Sequence, residues 1–107
     1  MHRVTVCYGQ PTDPAAFDEH YATVHAPLVR QVPGLSGFSA GRCRSLDRSE
    51  PAYYYVAYLD FATDEDFRAG LSSPEMGKAG ADVPTFATGG VTMFTQQIDD
   101  LLAEESH

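Results

Sequence analysis

The chain has 107 residues, with 43% hydrophobic and 21% charged, which is ordinary globular composition for one domain spanning 1–107. Seven Lys+Arg stand against fifteen Asp+Glu, a formal charge of −8 that argues against nucleic acid and anionic membrane surfaces, since both need clustered cations. Every apolar run falls short of the ~18 residues of a membrane span, and the first residues lack a signal-peptide apolar region, so a cytoplasmic protein is expected.

Residues 3–9 alternate β-branched and aromatic members and read as a first strand. Asp13 is a good N-cap and Pro14 suits the first helical position, where its missing N–H costs nothing. A helix is therefore predicted over about 14–31. At about 100° per residue, Phe17, Tyr21, Val24 and Leu28 fall within one apolar stripe, which Val32 extends. Pro27 deprives the Thr23 carbonyl of its helical donor and should bend the helix just after His25, and Pro33-Gly34 ends it.

Residues 35–46, which include Phe38, form a second strand, bent or bulged at Gly37 and Gly41. Residues 47–51 make a turn, and 52–61, with four tyrosines, read as a third strand. Thr63 caps a short helix whose Asp64, Glu65 and Asp66 lie near its positive end. Ser73-Pro74-Glu75 starts another short helical turn. Residues 80–90, with Pro84 and Gly89-Gly90 flanking Phe86, read as loop. Residues 91–98 close as a last strand, and the acidic tail 99–107 is expected to fray. Cys7 and Cys43 sit in strand-like runs without a CxxC, and read as buried reduced thiols rather than a disulfide or metal ligands.

The order βαββαβ is the split pattern of a ferredoxin-like α+β sandwich. Two crossing helices cover only one face of a four-stranded sheet. Alternation places Tyr53, Tyr55, Ala57, Leu59 and Phe61 on one side of the third strand and Tyr54, Val56 and Tyr58 on the other. The last strand divides Val91 and Met93 from Phe94 and Ile98. Both faces carry apolar residues, so a symmetric partner sheet is the simplest cover, and a homodimer is predicted.

His25 lies about 60° from the centre of the apolar stripe and one turn after Tyr21, which sets an imidazole and a phenol side by side at the rim of the core. Desolvation can hold such a ring neutral while it still trades protons near pH 7. Two roles fit: acid–base work on an apolar ligand in the space opened by Pro27, or a structural ring bonded to a backbone carbonyl or to Tyr21. His20 falls about 140° around the helix from His25, so the spacing reads it as a flanking surface residue unable to share a metal with His25. His2 and His107 are terminal. HExxH, facial-triad, GxGxxG and nucleophile-elbow patterns are all missing, so no metal or bound cofactor is expected. Tyr55 can line an aromatic pocket or belong to core and interface. Phe86 can be a lid over the same cavity or a satellite core residue.

The run Tyr21-Ala-Thr-Val-His25-Ala-Pro27-Leu28, leading to Pro33-Gly34-Leu35, resembles the helix-one signature of the EthD family of dimeric α+β barrel proteins. Ser73-Pro74-Glu75 and Ala81-Asp82-Val83-Pro84-Thr85-Phe86 look like its second-half motif, with Thr85 where asparagine is frequent. The resemblance spans nearly the whole chain. It implies two subunits whose sheets face each other, helices outside, and a small cavity between helix one and the sheet into which the His25 equivalent points. The family is associated with bacterial ether degradation, often beside an oxidative system, and related barrels include isomerases, cyclases and cofactor-free or haem-degrading monooxygenases.

Three functions follow as expectations. The first is a cofactor-independent isomerase- or cyclase-type enzyme acting on a small apolar or aromatic metabolite. His25 would be its acid or base, Tyr21 the neighbour, and Tyr55, Phe38, Asp82 and Phe86 the lining, with Asp82 a polar partner from the loop. The second is a non-catalytic binding or accessory protein of a degradative or biosynthetic oxidative pathway. The third is a cofactor-free monooxygenase or a haem handler.

Overall fold

The computed structural model describes residues 1–102; positions 103–107, which include most of the expected tail and His107, lie outside them. Strands β1 (His2–Tyr8), β2 (Leu35–Arg42), β3 (Tyr55–Phe61) and β4 (Val91–Gln97) form one antiparallel sheet in the order β2-β3-β1-β4. With the helices packed on one face, this is the ferredoxin-like arrangement that the element order implied. β2 carries its irregularity between Leu35 and Gly37.

The first helical segment begins as expected. Asp13 accepts from the Ala16 N–H at 3.1 Å, and Pro14 opens helix α1 (Pro14–His20). The helix then departs from α geometry. Tyr21–His25 is a π turn, in which the Ala26 N–H donates to the Tyr21 carbonyl five residues back, before α2 (Ala26–Arg30) resumes. The disturbance thus precedes Pro27, whose missing N–H leaves the turn above it free to widen.

This turn corrects the predicted stripe. One surplus residue retards the helical phase by about 100°. Val24, placed on the buried face by a uniform period, is 42% exposed, whereas His25 is 4% exposed and Val29 and Val32 enter the core. The helix ends with Gly34 at a φ of 82°, a left-handed conformation that glycine adopts without strain.

Thr63 caps α3 (Asp64–Leu71) and Ser73 caps α4 (Pro74–Phe86). The latter is thirteen residues long, not one short turn followed by loop. Pro84 lies inside it. It stands two residues before the last helical residue and forfeits a single helical bond, and the ladder continues with Ala87 N–H donating to the Val83 carbonyl at 2.9 Å. Asp82 and Phe86 are therefore helical residues rather than loop residues.

The core lies between sheet and helices, where Val6, Tyr8, Ala57, Leu59 and Phe61 meet Phe17, Tyr21, Val29, Ala79, Val83 and Phe86. Tyr54 also packs here, edge-on to Phe17 with centroids 5.2 Å apart, rather than beside Val56 and Tyr58 on the far face. It precedes β3, so strict alternation does not bind it. On the far face, Val56, Tyr58 and Phe94 surround polar pairs that the sequence reading missed. Arg3 donates to both Asp60 oxygens, at 2.7 and 3.2 Å, and stacks over Tyr58, while Thr5 donates to Gln96 at 2.7 Å. Cys7 is buried, Cys43 is half-buried, and both are free thiols. Among the described residues, no helix is long and apolar enough to cross a membrane.

Candidate functional site

Three elements converge on one carboxylate. Asp82, on α4, accepts at Oδ2 from His25 Nδ1 at 3.0 Å, and its oxygens lie 2.9 and 3.0 Å from His20 Nε2. Thr85, one turn along α4, has its hydroxyl 2.5 Å from the Asp82 backbone carbonyl and 3.1 Å from Asp82 Oδ1. The side chains of Asp82 and His25 are only 12% and 5% exposed, and that of His20 is 30% exposed.

The π turn makes this convergence possible. On an α-helix His20 and His25 diverge, which is why the sequence spacing kept them apart. Five residues back is the hydrogen-bonding interval of a π turn, so it returns them to one side. His20 is thus a member of the cluster that sequence reasoning missed. Pro27 was the available signal, because it removes the donor that would have kept this turn regular. Among the described residues, no group of three or more His, Cys, Asp or Glu is arranged to hold a metal ion.

Phe86 is the common platform. Its ring centroid is 4.8 Å from that of His25 and 5.1 Å from that of His20, which lies nearly parallel to it. Phe86 is buried in the core, so the lid reading gives way to a packing role. Tyr21 sits 5.1 Å from His25 and 4.9 Å from Tyr55, centroid to centroid, and bridges the two sides of the site. Its ring is edge-on to that of Tyr8, 5.8 Å between centroids, and burial pushes both phenols above their ordinary pKa, so they stay protonated.

The electrostatics divide the roles. Burial lowers the His25 pKa below its usual value, against the opposing pull of Asp82, so the ring is neutral at pH 7. Burial works to raise the Asp82 pKa, but the hydrogen bonds from His20, His25 and Thr85 together hold it below the ordinary value, so it is a carboxylate. A carboxylate at Nδ1 fixes the proton there and leaves Nε2 with the lone pair. Among the described residues that Nε2 has no hydrogen-bond partner and no fully buried side-chain N or O atom is left unpartnered, so the nitrogen keeps some exposure.

The sequence-predicted residues fall into two compartments. His25 and Tyr21 line an apolar cavity of about 60 Å³ under the helices, floored by Val6, Ala57 and Leu59, with Met76 and Met93 also in its wall. Across Tyr21 lies a larger cleft of about 380 Å³ between α1–α2 and β2, lined by Phe17, Phe38 and Tyr55 with Asp18, Arg30 and Arg42. Arg42 donates to Asp18 there at 2.7 Å, and Tyr54 donates to the other Asp18 oxygen at 2.8 Å. Phe38 and Tyr55 therefore flank the cleft and not the His25 cavity. Asp82 and Phe86 hold His25 from behind.

Comparison with known proteins agrees with this scaffold. A family model described as the EthD domain matches residues 9–90. An uncharacterised 11.0 kDa protein in the thcB–thcC intergenic region of Rhodococcus erythropolis is 50% identical over 98 residues, spanning 91% of this chain and 95% of its own. The crystal structure of an ethyl tert-butyl ether (EthD) family protein from Bacillus halodurans matches with a TM-score of 0.85 at 29% identity, covering 92% of this chain and 99% of that one. SnoaB, a cofactor-independent oxygenase from Streptomyces nogalater, shares the fold with a TM-score of 0.66 at 19% identity, over 96% of each chain.

Proposed function

Because the chain belongs to the EthD family, we propose that it binds a small apolar or aromatic metabolite between its first helical segment and the sheet, and that His25 serves there as a cofactor-independent acid–base group. The observation that carries this reading is the Asp82–His25 pair, 3.0 Å apart, in a ring that lines an apolar cavity. Such a base suits proton removal next to a carbonyl, as isomerisation and cyclisation require. Nothing in that chemistry needs a metal when a buried carboxylate steadies the imidazolium that forms.

The resting cavity is too small for a metabolite, so entry requires the wall to move. Met93 is 58% exposed, and its flexible thioether and that of Met76 supply the displacement. Tyr21 closes the opposite side and keeps its proton as a donor. The protein acts as a cytoplasmic homodimer in this reading, with Val56, Tyr58 and Phe94 meeting their copies across the far face of the sheet. Sedimentation at micromolar concentration checks that part, and a folded monomer would contradict it.

A second reading, a non-catalytic ligand-binding or accessory protein, is favoured by the 380 Å³ cleft, which falls within the usual ligand-pocket range but does not include His25. The experiment separates the two. Small aromatic and apolar carbonyl compounds are screened by thermal shift, since a ligand at 100 times its Kd stabilises by about 2.7 kcal/mol. Hits are then followed for conversion by mass spectrometry. Conversion lost in His25→Gln with binding retained supports acid–base catalysis. Binding without conversion, abolished by Phe38→Ala and Tyr55→Ala, supports the accessory role and removes the enzymatic one. Conversion that persists in His25→Gln with a consumption of oxygen would instead indicate a cofactor-free monooxygenase.

A further inference from the structure

His25 is 4% exposed and a bound ligand would fill the apolar cavity it lines, so a proton it gains from that ligand needs another route out. The structure holds one. Asp82 Oδ2 lies 3.0 Å from His25 Nδ1 and also 3.0 Å from His20 Nε2, so a single oxygen atom bridges the two rings. His20 is at the surface end. It lines a pocket of about 190 Å³ with Thr12, Asp13, Thr85 and Thr88, while His25 lines the apolar cavity. We propose that His20, Asp82 and His25 form a proton relay connecting solvent to the apolar cavity, with His20 as its outer station.

The transfer balances without any further reactant. When His25 Nε2 takes a proton, its Nδ1 proton passes to Asp82 Oδ2. His20, which donates to Asp82 at rest, first takes a proton from water at Nδ1 and returns its Nε2 proton to water. Asp82 Oδ2 then hands its proton to the vacated Nε2 lone pair. His20 then releases its Nδ1 proton to water, and Asp82 returns to the carboxylate. One proton leaves the cavity and no carboxyl rotation is needed. Recharging runs in reverse, with His25 delivering its Nε2 proton to the ligand as a proton arrives at Nδ1 from the His20 side.

Each neighbour fits this role. Phe86 keeps the two rings in position by contact with both, at 4.8 and 5.1 Å. The Thr85 hydroxyl, 3.1 Å from Asp82 Oδ1, satisfies the oxygen that the bridge does not need. Tyr8 and Tyr21 on the inner side stay protonated and do not compete for the transferred proton, while Asp13, in the pocket with His20, lies on the solvent side of the bridge.

The use of the relay in turnover rests on the acid–base reading of His25, but its existence is testable without a substrate. In ¹⁵N-labelled protein, exchange of the His25 ring N–H with water is measured by NMR. His20→Gln keeps a donor toward Asp82 but cannot carry a proton. It should slow that exchange by roughly 100-fold, the lower end of what a positioned acid–base group contributes. His20→Ala should slow it similarly, and added imidazole, which fits the vacated pocket, should restore it in proportion to concentration. Unchanged exchange in His20→Gln, with backbone spectra matching the wild type, overturns the relay while leaving His25 as a candidate base. Slowed exchange without imidazole rescue also overturns it, because His20 would then be only a structural brace. Slowed and rescued exchange, in a protein whose ligand conversion ignores His25→Gln, keeps the relay and overturns the function proposed for it.

Discussion

Removing the carboxylate of Asp82 is the sharpest perturbation of the site. In Asp82→Ala the His25 Nδ1–H loses its acceptor in a place where the imidazole side chain is only 5% exposed. Water cannot replace the lost partner there, and a stranded buried donor costs about 1–3 kcal/mol. His20, whose side chain is 30% exposed, turns its freed nitrogen to water and adds little. In a domain of this size each kcal/mol moves the melting temperature by roughly 4–8 °C, so the variant should melt roughly 5–20 °C below the wild type. Asp82→Asn retains one oxygen that can still accept from His25 and should lose less than half as much. The assay is a circular-dichroism melt of the three proteins at pH 7.5, supported by urea titration. An Asp82→Ala variant melting within about 2 °C of wild type would mean that Nδ1 is not held as described.

Acidification should weaken the fold in two stages. The His25 pKa is lowered in the folded state, chiefly by burial, so the unfolded chain binds that proton more readily and stability falls as pH drops below about 6.5. The depressed Asp82 pKa adds a further loss below about 4. Urea midpoints should therefore decline from pH 7.5 to pH 5.5 and do so less steeply in His25→Gln; a midpoint rising over that window refutes the sign. Val24→Ala should change stability by no more than about 0.5 kcal/mol, whereas Val29→Ala should cost about 2 kcal/mol. Equal losses in chemical denaturation would place the helix in a uniform α phase. Gly70→Ala should cost about 1–3 kcal/mol by the same measurement, because its new methyl would collide with the ring of the fully buried Phe61. An unaffected midpoint there would show that the Phe61 ring yields freely.

The fold was largely legible because its signals are local. Asp13-Pro14, Thr63 and Ser73-Pro74 each marked a helix start where the caps are found, and alternating or β-prone runs marked the first, third and last strands, while the glycine-bearing second strand was drawn four residues too long. The candidate site was legible only in part. His25, Tyr21 and Asp82 were named from residue type and motif. Their geometry escaped, because Val24 is apolar and fits a uniform α period as well as Val29 does. Pro84 misled in the opposite direction, since a proline near a helix end and one in a loop look alike in sequence. Tyr54 and the Arg3–Asp60 pair depend on where β3 begins and on the register against β1, neither of which a single strand encodes.

The wide turn at Tyr21–His25 makes chain length, rather than side-chain identity, the quantity that sets up the constellation. Substituting Ala22, Thr23 or Val24 one at a time leaves the count intact, so a mutational scan would score these positions as inert. Deleting any one of them would swing α2 by about a quarter-revolution and uncouple the two imidazoles from their shared anchor. Insertion–deletion scanning, which is seldom applied inside helices, is therefore the way to find the most sensitive point in this protein.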